Sequence, residues 1–250
     1  MIDKRAEEVP MSEALRFDDL SLSKAAFEVR FDNAFLLWDR SGSIWTEITL
    51  KQPELRVTRA EPNKIVFASR GERELQLSVE LGRLSVIAIN PDKKLSAFAE
   101  LVARFTEITT QALQVQAYTR VGLRVSFLKE YVDREAAAEA LLGTRMIQVP
   151  AGQHFGLSTP ILEPEVSIRK EDGKNGFSLR LKAEAVKFEF EPNFGLSEFA
   201  KPQSLEKHRV HLDVDCYLQA PVDPAKFYVS DWVDQTLHVI KRDGRKVFGE

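Results

Sequence analysis

The sequence predicts an α+β fold built from two antiparallel β-meanders, each followed by a long helix, with the helices packed on one face of the sheet or sheets. Two observations support this prediction. Short stretches in which apolar and polar residues alternate recur in both halves of the chain, separated by tight-turn signals. Each series of strands is followed by a stretch whose apolar residues keep the three-to-four spacing of an amphipathic helix.

The first half begins with a predicted strand at residues 25–31, where apolar and charged residues alternate. The apolar residues 33–40 indicate a short helix or an irregular segment, and the Ser-Gly-Ser at 41–43 indicates a turn. Four further strands then form the first meander: residues 55–59, 64–69, 75–81 and 84–89. The spacing of apolar residues over 95–113 predicts the long helix that follows this meander.

A strand at residues 118–129 follows the long helix, and its two faces differ in chemistry. The apolar face carries Val121, Leu123, Val125 and Phe127, and the polar face carries Arg120, Gly122, Arg124 and Ser126. Residues 133–142 are alanine-rich with acidic residues at the start, which predicts a helix that Gly143 ends.

In the second half, a strand at 166–169 leads into the hairpin signal of residues 171–176. Apolar residues then occupy odd positions up to Ala183 and even positions from Val186, and this phase change predicts a bulge or tight turn near Glu184 and Ala185. A loop at 192–206, a strand at 208–218 and a last helix beginning near Ala225 complete the chain.

The predicted organisation has four parts. Residues 1–23 form a polar N-terminal segment with a short helix around residues 12–16, and residues 24–142 form the first α+β half. Residues 143–164, which are polar and contain proline and glycine, connect it to the second half at 165–250. One continuous domain is the alternative to this division.

Composition narrows the class of protein. The formal net charge of −3 does not favour a polyanion as the default partner. Cys216 is the only cysteine, so an intramolecular disulfide is impossible. The N-terminal residues lack the apolar core of a signal peptide, and no apolar run approaches the roughly 20 residues that span a bilayer. We expect a cytoplasmic protein without a membrane partner.

The first candidate site lies on the polar face of the strand at 208–218. His211, Asp213 and Asp215 follow one another at every second position, about 6 to 7 Å apart. One imidazole and two carboxylates in this pattern can hold a divalent metal or take part in acid–base catalysis. The alternative is a polar strand face exposed to water, with its charges paired across strands.

Arg120 and Arg124 form the second candidate site, a ligand site. Gly122 between them leaves room for a ligand, and the guanidinium fork suits phosphate or carboxylate. The alternative is pairing with glutamates on another strand, such as those of residues 187–191. The alternating charges of residues 180–191 also resemble, loosely, the triphosphate-tunnel enzymes, whose Glu-x-Glu-x-Lys hallmark the first strand lacks.

A basic cluster ends the last helix and is the third candidate. Its members are Lys241, Arg242, Arg245 and Lys246. Such a cluster can bind nucleic acid, although a favourable interaction with the carboxyl end of the helix is the commoner reason for it.

Three patches of the chain resemble a sporadically distributed family of uncharacterised bacterial proteins of about this length. They are AAFEVRF at 25–31, RVGLRVSF at 120–127, and LDVD at 212–215 before a final helix that carries His238. The chain has Val-Ser-Phe at 125–127 where that family tends to have Tyr-x-Asn. The resemblance implies a bacterial cytosolic accessory protein, acting in a multi-component system such as defence against mobile elements.

The sequence contains no hydrolase elbow, dinucleotide fingerprint, Walker A loop, zinc-protease motif or Cys-x-x-Cys motif. We therefore expect a protein without enzymatic activity and without a cofactor, whose partner is another protein or a second copy of itself. The alternatives are a metal- or phosphate-dependent enzyme or ligand binder that uses the two strand faces, and nucleic-acid binding through the C-terminal cluster.

Overall fold

The computed structural model describes residues 15–32, 34–69, 74–91, 95–144, 146–147, 159–190, 203–219 and 221–250. In chain order the elements are β1 (Ser21–Phe31), α1 (Leu37–Lys51), β2 (Arg56–Glu61), β3 (Lys64–Ala68), β4 (Leu75–Glu80), β5 (Arg83–Ile89), α2 (Ser96–Leu113), β6 (Tyr118–Tyr131), α3 (Arg134–Leu142), β7 (Glu165–Glu171), β8 (Asn175–Phe190), β9 (Gln203–Leu218) and α4 (Val229–Val247). Two short 3₁₀ turns, Phe17–Asp19 and Pro224–Lys226, precede β1 and α4.

The described strands form one nine-stranded sheet in the order β2-β3-β4-β5-β1-β6-β9-β8-β7. Every neighbouring pair is antiparallel, which confirms the predicted α+β class with an antiparallel sheet. β1 is the central strand, β6 lies beside it, and β6 pairs with β9 so that Arg124 lies opposite Asp215. The strands of the two predicted halves therefore belong to a single sheet whose edges are β2 and β7.

One face of the sheet forms the hydrophobic core with the helices. Alternation places Phe27 of β1, Leu123 of β6 and Leu212 of β9 on this face, and all three are fully buried. α2 packs against α1 and α4, and α3 packs against β6, β8 and β9. Asp133 caps α3 by accepting a hydrogen bond from the Ala136 amide at 2.8 Å. The opposite face of the sheet, here called the open face, carries the charged residues.

Helix α1 is longer than the sequence predicts. The turn expected at residues 41–43 is wrong, because the helix continues through Gly42 to Lys51. Leu37, Ile44 and Ile48 lie on one side of α1 and are fully buried in the core. Their burial outweighs the cost of about 1 kcal/mol for a glycine inside a helix.

The bulge or turn predicted near Glu184 and Ala185 is also wrong. β8 pairs with β9 in one uninterrupted register from Asn175 to Phe190. Up to residue 188, where the burial of β8 is described, Ala183 is the last buried residue, and Phe188 is 40% exposed. Because the core ends near Ala183, the apolar residues Val186 and Phe188 lie on the open face. The pairing of β8 with β9 continues past them without a shift of register. β9, which pairs with β8 along this whole length, begins at Gln203 and not at residue 208 as predicted.

The other predicted elements differ by a few residues at their ends, and α4 begins at Val229 after a 3₁₀ turn instead of near Ala225. Predictions for residues 1–14, for 148–158 in the connecting segment and for residues 192–202 of the loop predicted at 192–206 lie outside the described residues. Within the described part of the chain, no helix has the length and apolar character needed to cross a membrane.

Candidate functional site

The structure brings two of the candidate sites together on the open face. β6 presents Arg120 and Arg124 on this face, and β9 presents Asp213 and Asp215 beside them. Arg124 and Asp213, which are 89 positions apart in the sequence, thereby become neighbours in adjacent strands. Arg120 pairs with Glu28 and Asp215, and Arg124 pairs with Asp213. From the sequence, the glutamates of residues 187–191 were the alternative partners.

Arg124 and Asp213 form a two-pronged ion pair. Nε of Arg124 lies 2.9 and 3.0 Å from the two carboxylate oxygens of Asp213, and Nη2 lies 2.6 Å from Oδ2. The hydroxyl of Ser126 donates a further hydrogen bond of 3.1 Å to the same carboxylate. The side chain of Asp213 is only 12% exposed, while that of Arg124 is 61% exposed. Asp213 therefore holds an arginine that still reaches solvent.

The two aspartates have pKa values shifted in opposite directions. Burial alone would raise the pKa of Asp213, but the hydrogen bonds and charge of Arg124 outweigh it and hold that pKa below its ordinary value. Burial raises the pKa of Asp215, and the single hydrogen bond from Arg120, at 3.0 Å, does not compensate. The negative charges of Asp213 and Glu28 raise it further.

We expect Asp215 to titrate at a higher pH than Asp213 in a carboxyl-carbon NMR titration. The lowered pKa of Asp213 stabilises the fold above the unfolded-state pKa, and this stability is lost as pH falls through the folded-state pKa. The raised pKa of Asp215 affects stability in the opposite direction. Its contribution is present at low pH and is lost as pH rises through the folded-state pKa. In Arg124→Gln the pKa of Asp213 should rise, because burial remains without the compensating cation. The reverse order of titration would contradict the assignment.

Three arginines stand side by side across the centre of the open face. Arg83 of β5 and Arg120 of β6 lie directly opposite Arg30 of β1, on either side of it. Adjacent strands are about 4.8 Å apart, and like charges in this position destabilise a sheet. We call Arg83, Arg30 and Arg120 the arginine row.

Glu28 is the carboxylate that the arginine row shares. Its Oε1 lies 2.7 Å from Nε of Arg30 and 3.2 Å from Nη1 of Arg120, and its Oε2 lies 3.5 Å from Nη1 of Arg83. Glu80 holds the far end of the row through Arg83 at 2.7 Å. Asp215 holds the near end through Arg120. The three arginines of the row thus meet three carboxylates, and only Glu28 contacts all three of them.

A cavity of about 420 Å³ lies over the arginine row, and we call it the cationic depression. Short side chains form its floor, among them Ala26, Ser78, Ser85 and Gly122. A Cβ at Gly122 would lie 2.6 Å from Nη1 of Arg120, so glycine allows this guanidinium to lie close to the strand. The charged lining residues are the cations Lys24, Arg30, Lys64, Arg83, Arg120 and Arg124, and the carboxylates Glu28, Glu80 and Asp215. The cations outnumber the carboxylates two to one in a protein whose net charge is −3.

His211 belongs to a different charge cluster. Its Nδ1 lies 3.3 Å from Oε1 of Glu184, which also accepts a hydrogen bond of 2.8 Å from Arg209 and contacts Lys182. Burial lowers the pKa of His211 and favours the neutral imidazole. Among the residues that the structure describes, no group of three or more histidine, cysteine, aspartate or glutamate side chains could hold a metal ion. The structure therefore does not assemble the predicted metal set of His211, Asp213 and Asp215.

Arg242, Arg245 and Lys246 of the C-terminal basic cluster bind carboxylates. Arg242 and Lys246 both bind Asp243, at 2.8 and 3.1 Å, and Arg245 binds Asp18 at 3.0 Å. The hydrogen bond from Arg242 is the main reason that the pKa of Asp243 is lowered to about 2. These cations therefore tie the end of α4 to itself and to the N-terminal 3₁₀ turn.

Sequence reasoning missed Glu28, Arg30 and Arg83 as members of the site. Glu28 and Arg30 were visible as the polar face of the first strand, and Arg83 as the start of a strand after a turn. The information that was missing is the order of strands, which places β1 between β5 and β6. Only that order brings the three arginines into one row.

Fold and site together define an α+β protein whose large antiparallel sheet has helices on one face and a cationic depression on the other. Comparison with protein-family models, with curated proteins and with solved structures finds no match. The resemblance to a bacterial family remains a prediction.

Proposed function

We propose that this protein binds a small anionic ligand, carrying phosphate or carboxylate groups, in the cationic depression, and that it does so without catalysing a reaction. The arginine row carries the proposal. Three guanidiniums in direct cross-strand register share Glu28, although like charges in that position oppose each other. An anion bound over the row would add negative charge between guanidiniums that share Glu28, in a cavity whose lining cations outnumber its lining carboxylates.

The chemistry of the cations fits this ligand class. Arginine presents planar pairs of N–H donors that match carboxylate and phosphate oxygens. The guanidinium of Arg120 is held in place by Glu28, by Asp215 and by the ring of Tyr217, whose centroid lies 4.9 Å from its Cζ. A cation fixed in this way loses little conformational freedom when a ligand binds.

The distribution of charge indicates a ligand with more than one anionic group. The arginine row runs across three strands, a distance of about 10 Å between its outer members. Arg124 lies four residues from Arg120 along β6, about 13 Å away, with Gly122 between them. Cations thus lie on two sides of the short side chains at the base of the cationic depression. A ligand with two or more anionic groups, such as a sugar bisphosphate or a tricarboxylate, can contact more than one of these cations.

Calorimetric titration with phosphate, pyrophosphate and citrate at low ionic strength tests the proposal, with sodium chloride of equal ionic strength as the reference. We expect Arg30→Gln to weaken binding about tenfold or more, the effect of losing one charge-assisted contact. Arg180→Gln is the matched control. Arg180 lies on the same face but on β8, and its side chain is 50% exposed, close to the 54% of Arg30.

A ligand at 100 times its Kd should also raise the free energy of unfolding by about 2.7 kcal/mol, which a thermal-shift measurement detects easily. Absence of heat with every anion would contradict the proposal. Equal weakening by Arg30→Gln and Arg180→Gln would contradict it as well, because binding would then reflect general charge and not the depression.

A protein partner remains the second candidate function, as the sequence suggested, in a bacterial multi-component system of the defence type. Exposed aromatic residues at the start of α1 favour it: Phe35, just before the helix, is 60% exposed, and Trp38 within it is 58% exposed. Nucleic-acid binding through the C-terminal cluster remains a proposal whose test is the effect on affinity of changing Lys241, Arg242, Arg245 and Lys246 to alanine.

A further inference from the structure

Helix α1 presents an aromatic surface at the edge of the sheet, away from the anion site. Its outward side carries Trp38 and Trp45, which are 58% and 49% exposed, and Phe35 just before the helix packs edge-on against Trp38 with ring centroids 5.7 Å apart. These include two of the three tryptophans of the protein. Tryptophan is enriched where proteins bind each other, and a contiguous exposed apolar patch marks such a surface.

The neighbouring strand β2 is an edge of the sheet with unpaired backbone groups. It pairs only with β3, and none of its six residues is buried. A cavity of about 570 Å³ lies between α1 and the β2–β3 hairpin, lined by Trp38, Gly42 and Trp45 on one side and by Val57 and Ala60 on the other. An open edge strand that borders an apolar cavity can accept another strand and cover the aromatic surface at the same time.

We propose that a second copy of this chain docks on this edge, with the two β2 strands antiparallel about a two-fold axis and the aromatic surfaces of the two α1 helices in contact. The proposal rests on the self-complementarity of β2. In the register centred between Thr58 and Arg59, Arg56 of each copy lies opposite Glu61 of the other, and Val57 lies opposite Ala60. The charge pair occurs twice because the interface is symmetric.

The bulge in β2 makes this register possible. The pairing with β3 shifts between Val57 and Arg59, so that Arg56 lies opposite Ala68 and Glu61 opposite Lys64. Ala68 and Lys64 are four residues apart on β3 and point to one face, which places Arg56 and Glu61 on the same face. Without the extra residue, five positions would separate them onto opposite faces. Val57 and Ala60 lie opposite the buried Phe67 and Ile65, on the face of the aromatic surface.

Charge also selects the occupant of this edge. Arginines and a bulge on an edge strand disfavour pairing with an arbitrary strand. They favour a partner strand that places an acidic residue opposite Arg56. A second copy supplies that acid from Glu61, which within its own strand also pairs with Arg59 at 2.7 Å.

Sedimentation equilibrium across a range of concentrations tests the proposal. We expect a monomer–dimer equilibrium for the natural chain. Arg56→Glu and Glu61→Arg should each raise the dimer Kd about tenfold or more, because two attractive pairs become two repulsive ones. The double variant R56E/E61R should restore dimerisation, since it exchanges the charges of each pair. Trp45→Ser should also weaken the dimer, and the charge exchange R56E/E61R should not restore it.

A chain that stays monomeric up to roughly millimolar concentration, the weak limit for a specific contact, would overturn the proposal. A dimer that Arg56→Glu leaves unchanged, or that the double variant does not restore, would overturn it too. Circular dichroism of each variant verifies that the fold is intact. Arg30→Gln should leave the dimer unchanged because Arg30 lies four strands from β2, so failure here is distinguishable from failure of anion binding.

Discussion

Replacing Phe27 with alanine is expected to lower the free energy of unfolding by about 3–5 kcal/mol. Phe27 is fully buried at the centre of the sheet, between Val86 of β5 and Leu123 of β6. Its ring centroid lies 6.4 Å from that of Trp232 on α4, so its loss opens a cavity where sheet and helix meet. Urea unfolding followed by far-UV circular dichroism measures the change.

Phe27→Leu provides a milder variant if the alanine variant does not fold. Its expected loss is smaller, because leucine refills much of the space that alanine leaves empty. Anion binding by the folded fraction should be unchanged, since Phe27 points to the core and its neighbour Glu28 to the open face. A loss below about 1 kcal/mol for Phe27→Ala would mean that this part of the core is not packed as described.

Glu28→Gln is expected to have two effects of opposite sign. The free energy of unfolding should fall by about 2 kcal/mol, the usual value for hydrogen bonds to a charged group, because the arginine row loses the carboxylate that it shares. Affinity for phosphate or citrate should rise, because the carboxylate no longer competes for the same guanidiniums. Urea unfolding and calorimetric titration of the same sample measure the two effects.

Glu165→Gln is the matched control for this experiment. Glu165 accepts two hydrogen bonds from Arg180, at 2.7 and 2.8 Å, but it lies on the edge strand β7 and is more exposed than Glu28. Its loss should change stability much less than Glu28→Gln does, because solvent screens an exposed ion pair. If Glu28→Gln weakened anion binding, Glu28 would be acting through the placement of the arginines and not as a competitor.

Much of the local structure could be predicted from residue patterns. The strand at 118–129, the long helix at 95–113 and the helix capped by Asp133 match β6, α2 and α3 within a few residues. The hairpin at 171–176 forms as its Asp-Gly signal indicates, with Asp172 accepting hydrogen bonds from the amides of Lys174 and Asn175. In each case neighbouring residues carry the information, through a period of two or about 3.6.

Two predictions of local structure were wrong where tertiary packing outweighed a local signal. The Ser-Gly-Ser at 41–43 is compatible with a turn, but burial of Ile44 and Ile48 keeps it helical. The change of apolar phase at Glu184 is compatible with a bulge, but the hydrogen bonds of β8 to β9 continue across it. Neither the core nor the partner strand can be read from the residues near these positions.

The sequence by itself determined which side chains share a strand face: Arg120 with Arg124, and Asp213 with Asp215. Only the tertiary structure decided that these faces adjoin, that Arg83 and Arg30 complete a row with Arg120, and that Glu28 is shared among them. The physical reason is that alternation along a strand is a local property of the backbone, whereas strand order follows from the burial of the whole apolar face. A binding site lined by residues of six strands is a product of that order.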